Sequence, residues 1–105
     1  MEQSNIDVFK AIADPTRRKI IQMLVVSTAL SLHTISDHFA MSRQAVTRHI
    51  NYLKEAGLLN TEKEGRETMC YVNIIPLKEV FDWVKFYQSF WESKLDNLDK
   101  LLNKD

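Results

Sequence analysis

Two short amphipathic segments, each preceded by a serine, most strongly constrain how this chain can fold. Ser31 and Ser42 introduce stretches whose apolar residues recur at helical spacing, and Gly57 follows the second stretch. Serine is a preferred N-cap, and glycine is preferred just beyond a helix C-terminus. The inward positions would be Leu32, Ile35 and Phe39 on the first helix and Val46, Ile50 and Leu53 on the second. Two short helices with a tight turn between them predict a helix-turn-helix over residues 32–57.

Two further helices are predicted upstream of this pair. The first, over residues 5–12, is indicated by apolar residues at helical spacing, namely Ile6, Phe9 and Ala13. Asp14 followed by Pro15 predicts an N-cap and a proline at the first position of a second helix. The inward stripe of this second helix would be Ile20, Ile21, Leu24 and Val25.

Downstream of Gly57 the apolar period changes from that of a helix to the two-residue period of a strand. The predicted strands lie within residues 58–74, and the turn Glu-Gly-Arg places the tip at Gly65. A hairpin directly after a helix-turn-helix is a wing. The chain is therefore predicted to be mainly α-helical with a two-stranded β-wing.

A long final helix is predicted over residues 76–102, and it carries more apolar surface than one helix of a small domain can bury. Its main stripe consists of Leu77, Val80, Val84, Tyr87, Trp91, Leu95, Leu98 and Leu102. A second row consists of Phe81, Trp83, Phe86 and Phe90. Six of the ten aromatic residues of the chain lie between 81 and 91. The stripe predicts pairing with a second copy, and the alternative is a pocket for a small apolar effector.

The outer face of the helix over residues 42–56 has an unusual composition, with no acidic residue before Glu55. Its polar residues are Ser42, Arg43, Gln44, Thr47, Arg48 and Asn51. Arginine pairs with guanine edges, glutamine and asparagine pair with adenine edges, and threonine contacts thymine methyl groups. We expect Arg43, Gln44, Thr47 and Arg48 to contact base edges, with Ser42 and Asn51 beside them. His49 lies next to the apolar stripe, so we expect it to pack or hydrogen-bond within the protein.

Charge is distributed unevenly although the net charge is zero. Residues 15–54 carry a local excess of five positive charges, whereas residues 76–105 hold five lysines and six acids. A neutral chain can therefore present a basic face to a polyanion. The expected phosphate or groove contacts are Arg17, Arg18, Lys54 and Arg66.

The sequence does not support catalysis or metal binding. His33 and His38 are five residues apart, which places them on different faces of a helix, and Cys70 stands alone. The chain has two glycines and no arrangement of Ser, His and Asp, or of Cys and His, that suggests a nucleophile with its base. We expect no enzymatic activity, no cofactor and no metal ion, and we expect Cys70 to be buried.

The cysteine content and the distribution of apolar residues predict where the protein is located. A single cysteine allows no intramolecular disulfide, and no apolar run approaches the ~20 residues that span a bilayer. The N-terminal residues are polar and lack the apolar run of a signal peptide. These features predict a cytoplasmic protein without membrane insertion.

The chain resembles winged-helix repressors of the ArsR/SmtB family over nearly its whole length. The matching segments are FKAIADPTRRKIIQML (9–24), LHTISDHFAMSRQAVTRHINYLKEAGLL (32–59) and EGRETMCYVN (64–73). The tail at 82–102 is most similar to the metal-independent (SdpR-like) branch. Metal-sensing members carry a Cys-x-Cys pair near the segment HTISDHF and His and Asp ligands on the last helix, and this chain has neither the cysteines nor a histidine after residue 75.

The resemblance implies one winged-helix domain over residues 1–105, with elements in the order α-α-α-α-β-β-α. It also implies a homodimer joined through the first and last helices, which binds a palindromic double-stranded DNA operator through the helix at 42–56 and the wing at 60–73 and represses transcription. The corresponding interface residues would be Ile6, Phe9, Val84, Tyr87, Trp91, Leu95, Leu98 and Leu102. The alternatives are a ligand-gated regulator that binds a small apolar effector at the C-terminal aromatic helix, and a winged helix that binds only protein. An unidentified protein or small apolar effector is the further partner that they allow.

Overall fold

The computed structural model describes residues 6–103, and this part of the chain contains five helices and three strands. The helices are α1 (Val8–Ala11), α2 (Pro15–Ser27), α3 (Leu32–Asp37), α4 (Arg43–Glu55) and α5 (Leu77–Leu102). The strands are β1 (Ala29–Ser31), β2 (Leu59–Glu64) and β3 (Glu67–Val72). The mainly helical winged helix-turn-helix that the sequence predicts is confirmed.

The predicted helix starts are confirmed by their capping hydrogen bonds. The Asp14 carboxylate accepts from the Arg17 amide at 3.0 Å, and Pro15 is the first residue of α2. The hydroxyl oxygens of Ser31 and Ser42 accept from backbone amides three residues later, at 3.0 and 3.1 Å. The first helix is shorter than predicted because Asp7 caps it, so α1 begins at Val8; residue 5 of the predicted range lies outside the described residues.

The end of α4 is a Schellman motif centred on Gly57. Gly57 has a φ of +80°, its amide donates to the Lys54 carbonyl at 3.0 Å, and the Leu58 amide donates to the Leu53 carbonyl at 3.0 Å. A residue with a Cβ is strained at this φ, so the glycine ends α4 and directs the chain into β2.

The sheet has three antiparallel strands in the order β1-β3-β2, one more than the sequence predicts. The missed strand, β1, pairs with β3 so that Ala29 lies opposite Tyr71 and Ser31 opposite Met69. Three residues are too few to show alternation, and the partner strand lies far along the chain. The wing hairpin itself is confirmed, with Gly65 at a φ of +66° in the turn.

One apolar core lies between α1 to α4 and the base of the sheet. Its members are Val8, Ala11, Ile20, Ile21, Leu24, Ile35, Val46, Ile50, Leu53, Leu58, Leu59 and Cys70. Val25 was predicted to face inward, but half of its surface is exposed, and it lines an open concavity together with Leu30 and Leu77. Cys70 is buried as predicted, and this burial raises the pKa of its thiol.

Helix α5 leaves the domain with its apolar stripe uncovered. Only its first turn, at Leu77 and Val80, packs on the core, and none of its residues is fully buried. The helix has 26 residues, which corresponds to a length of about 39 Å. Its contact with α1 is made by Phe9 and Trp83, whose ring centroids lie 5.8 Å apart. The described residues therefore leave the predicted stripe exposed, and it remains available to a partner.

The connection between α2 and β1 contains a strained residue. Thr28 has a φ of +66° and a ψ of −41°, and its hydroxyl donates to the Ser27 carbonyl at 2.6 Å. Threonine is β-branched and rarely adopts a positive φ, at a cost of about 1–3 kcal/mol.

Replacing Thr28 with glycine is expected to stabilise the protein. Glycine relieves the strain but adds freedom to the unfolded chain, so the net gain in the free energy of unfolding should be about 1 kcal/mol. Thermal unfolding should then shift upward by about 4–8 °C. Ser27→Gly, one residue earlier in the right-handed helix, is the matched control and should lower the midpoint. If the midpoint of thermal unfolding of Thr28→Gly were as low as that of Ser27→Gly, the assignment of strain to Thr28 would be wrong.

Candidate nucleic-acid interface

The outer face of α4 presents the polar residues that the sequence predicts as a reading surface. Arg43, Gln44, Arg48 and Asn51 are exposed, and Thr47 is half-buried. Arg43, Gln44, Thr47 and Arg48 together line one shallow, open concavity. The opposite face holds Val46, Ile50 and Leu53, of which Ile50 is the most exposed at 2%. The structure therefore brings the predicted base-contacting residues together on one side of a firmly packed helix.

The start of this helix favours an anion. Ser42 is exposed and caps α4, and the first turn contains no acidic residue. Free backbone amides and the helix dipole at such an end attract phosphate groups. The Thr47 hydroxyl donates to the Arg43 carbonyl at 2.8 Å, so the methyl group is the part of this side chain that is left for apolar contact.

The wing carries charges of both signs. Arg66 is exposed directly after the turn glycine. The acidic residues Glu64 and Glu67 lie opposite each other in the register of the two strands. The Tyr71 hydroxyl donates to the Glu64 carboxylate, and this hydrogen bond is the main reason that the pKa of Tyr71 is raised to about 12. At the base of the wing the Lys54 ammonium donates to the Thr61 hydroxyl at 2.9 Å. Lys54 therefore links α4 to β2 while remaining exposed.

Arg17 and Arg18, both predicted to contact phosphates, also bind the end of α1. Arg17 Nε donates to the Ala11 carbonyl at 2.7 Å, and its guanidinium lies 4.0 Å from the centroid of the Tyr52 ring. Arg18 Nη1 donates to the Ile12 carbonyl at 2.7 Å and stays exposed. Tyr52 has no role predicted from the sequence, and no local signal could have given it one because its partner lies on another helix.

His49 makes the internal contacts that its position next to the apolar stripe predicts. Its Nδ1 lies 3.4 Å from Nη1 of Arg17 and 3.9 Å from Oδ2 of Asp14. The side chain is 23% exposed and is held against the start of α2. His49 therefore belongs to the contact between α2 and α4 and not to the outer face.

The side chains considered as metal ligands do not lie together. Within residues 6–103 no group of three or more His, Cys, Asp or Glu side chains is placed to hold a metal ion. His33 pairs with Asp37 at 3.3 Å on the exposed side of α3, away from Cys70 in the core. In the same described range, no helix has both the length and the apolar content that crossing a bilayer requires.

These elements define a winged helix-turn-helix of the kind that reads double-stranded DNA. A short helix and a tight turn precede α4, α4 shows a basic, amide-bearing and hydroxyl-bearing face, and a hairpin follows. Comparison with known proteins agrees with this class. A family model described as a helix-turn-helix domain matches residues 12–62.

The chain belongs to the ArsR/SmtB family of transcriptional regulators. The transcriptional repressor SdpR of Bacillus subtilis (strain 168) is 33% identical over 78 residues, which cover 74% of this chain and 86% of that repressor. The crystal structure of an ArsR family transcriptional regulator is similar with a TM-score of 0.69 at 32% identity, covering 81% of this chain and 87% of the other. The structure of HlyU from Vibrio cholerae N16961 is similar with a TM-score of 0.62 at 27% identity, and the match covers 73% of this chain and 83% of HlyU.

The family confirms that this chain is of a DNA-binding class and not an enzyme, as its residues predict. It also confirms regulation of transcription, which the resemblance implies. Repressors are found among these relatives, as the name of the Bacillus protein states.

Proposed function

We propose that this protein is a homodimeric repressor that binds a pseudo-palindromic operator and does not respond to metal ions. Each copy places α4 in a major groove, and Arg43, Gln44, Thr47 and Arg48 contact base edges. Ser42 and Asn51 lie beside these contacts. The observation that carries the proposal is the outer face of α4, which is exposed and free of acid before Glu55, while the opposite face is buried in the core.

The proposed dimer is supported by the uncovered stripe of α5. Trp91 is 66% exposed and Leu95 is 56% exposed, and aromatic and leucine side chains continue on both sides of them. Apolar area of this extent on one helix is characteristic of an interface. Of the remaining residues expected in that interface, Phe9 lies next to α5 through Trp83, and Ile6 packs against the core beside α1.

The effector alternative receives less support from the same helix. The concavities along α5 are lined by residues of α5 alone, such as Tyr87, Phe90 and Trp91, and they are open to solvent. A binding pocket for a small molecule is normally enclosed by several elements. A second copy covers such a face more completely than a small ligand does.

The proposed absence of a metal response is supported by the chemistry of the available donors. Residues 76–105 contain neither histidine nor cysteine. Around α3 the imidazole of His33 faces Asp37, and the His38 side chain lines a different surface, between α2 and α3. Neither place offers the soft or imidazole set that transition metals prefer.

The experiment that tests the function is selection of bound duplexes from a random DNA pool, followed by titration of the selected site at several salt concentrations. Of the four expected phosphate contacts, Arg17 is occupied by Ala11 and Tyr52, so three remain as the proposed contacts, which is six in a dimer. They are Arg18, Lys54 and Arg66. The slope of the logarithm of the binding constant against the logarithm of salt concentration should then be about −5. A winged helix that binds only protein would select no site and would show no such slope, and this outcome would contradict the proposal.

A further inference from the structure

Arg17 joins three helices through one guanidinium group. Nε donates to the Ala11 carbonyl at 2.7 Å and Nη2 donates to the Lys10 carbonyl at 3.0 Å, so the group caps α1 from its place on α2. Its carbon atom Cζ lies over the Tyr52 ring on α4, 4.0 Å from the ring centroid. Nη1 is 3.4 Å from Nδ1 of His49, also on α4. The guanidinium group thus has partners on both α1 and α4.

The two partners on α4 lie on one side of that helix because they are three residues apart. His49 and Tyr52 are both partly buried, whereas Arg48 and Asn51 next to them are exposed. The apolar stripe holds α4 on the core, but apolar contact is not directional and permits small rotations of a helix about its axis. The guanidinium over the Tyr52 ring and the His49 ring nitrogen at 3.4 Å constrain that rotation, because a cation–π contact and a hydrogen bond both depend on where the partner lies.

Asp14 holds this arrangement in place from the start of α2. One carboxylate oxygen, Oδ2, accepts from the Arg17 amide at 3.0 Å and lies 3.9 Å from Nδ1 of His49. Burial raises the pKa of Asp14, but the Arg17 amide and the charges of His49 and Arg17 together lower it below its usual value. The carboxylate is therefore ionised at neutral pH and stays a partner for both groups.

We propose that Arg17 is a positioning residue that sets the rotation of α4 and thereby the sequence discrimination of the reading face, without itself contacting DNA. This inference rests on the proposed function, since it presumes that α4 reads base edges. Base-edge hydrogen bonds depend strongly on geometry, whereas phosphate attraction tolerates small displacements. Loss of Arg17 should therefore weaken specific binding much more than non-specific binding.

Arg18 provides a matched control on the same helix. It carries the same charge, and its Nη1 also donates to carbonyls after α1, those of Ile12 and Ala13, at 2.7 and 3.2 Å. These hydrogen bonds do not reach α4, and the side chain is exposed. Arg17→Gln and Arg18→Gln thus remove one positive charge each, but only Arg17→Gln removes the interactions with Tyr52 and His49.

The test measures two quantities for each variant: the ratio of specific to non-specific affinity, and the salt slope on the selected site. Arg17→Gln should lower the affinity ratio about 10-fold and leave the slope unchanged. Arg18→Gln should leave the ratio unchanged and reduce the magnitude of the slope by about 0.9 for each phosphate that the variant no longer neutralises. A reduced slope with an unchanged ratio in Arg17→Gln would show that Arg17 binds a phosphate and would overturn the proposal.

Substitutions of Tyr52 test the same interaction from α4. Tyr52→Phe keeps the ring under the guanidinium and should keep the affinity ratio, whereas Tyr52→Leu should lower it as Arg17→Gln does. The double variant Arg17→Gln/Tyr52→Leu should show little further loss of the affinity ratio, because both substitutions remove the same contact between Arg17 and Tyr52. Fully additive losses would overturn the proposal, as would a ratio in Tyr52→Leu equal to that of the unmodified protein.

Two controls separate this proposal from fold stability and from the proposed function. All binding is measured well below the midpoint of thermal unfolding of each variant, and partial unfolding lowers specific and non-specific affinity together and so does not move their ratio. If the unmodified protein selects no DNA site, the proposed function fails. If it selects a site and Arg17→Gln retains the full ratio, only the positioning role fails.

Discussion

Trp91→Glu is expected to convert the proposed homodimer to monomers and to abolish tight binding to the selected DNA site in the same variant. Trp91 lies at the middle of the α5 stripe with 66% of its surface exposed, and Tyr87 and Leu95 continue the stripe one turn away on either side. A carboxylate enclosed in an apolar seam loses its hydration without gaining a partner. Dimerisation should weaken on the order of 1,000-fold, which corresponds to about 4 kcal/mol.

Sedimentation velocity and DNA titration on the same samples measure the two effects of Trp91→Glu. Operator affinity should fall together with dimerisation, because a monomer engages one half-site and loses the effective concentration that a tethered second reading helix provides. Ser89→Glu adds the same charge on the polar side of α5, near Lys85, and should remain a dimer that binds DNA. A Trp91→Glu protein that still sediments as a dimer would contradict the assignment of this seam.

Arg48→Ala should weaken binding to the selected operator by about 1–3 kcal/mol and relax the preference at one base position of each half-site. Arg48 is exposed on the face that Arg43, Gln44 and Thr47 share, and within residues 6–103 its guanidinium forms no hydrogen bond or ion pair with the protein. A bidentate contact to a guanine edge would account for both effects. Binding to an unrelated duplex should change far less.

Repeating the selection with Arg48→Ala shows which base position loses its preference. Lys85→Ala removes a positive charge from the polar side of α5, distant along the chain from α4, and should leave both the selected site and its affinity unchanged. An Arg48→Ala protein with unaltered affinity and an unaltered base preference would remove Arg48 from the reading face. The remaining candidates, Arg43, Gln44 and Thr47, would then carry the base contacts.

Much of the fold is predictable because its signals are local. Asp14, Ser31 and Ser42 each accept a hydrogen bond from a backbone amide three residues later, so the start of a helix is encoded within one turn. Gly57 and Gly65 adopt positive φ values, which glycine reaches without the strain that a Cβ brings. Such features depend on neighbouring residues and are visible before any tertiary contact is known.

The missed features depend on residues that are distant along the chain. Strand β1 exists because Ala29, Leu30 and Ser31 meet β3, and three residues carry no periodicity of their own. Val25 follows the apolar spacing of α2, yet it is half exposed because it lines an open concavity beside Leu30 and Leu77 and is not enclosed by them. Both differences arise from what lies opposite a segment and not from the segment itself.

The candidate site likewise contains some features with local signals and others that depend on residues distant along the chain. The polar face of α4 is predictable from the residues alone, because helical spacing separates Arg43, Gln44 and Arg48 from Val46 and Ile50. By contrast, the inward position of Arg17 over Tyr52 and the exposure of Arg18 beside it depend on contacts between helices. The two arginines are adjacent and chemically identical, so their roles differ through the direction in which α2 presents each one. That direction is set by the packing of α2 against α1 and α4.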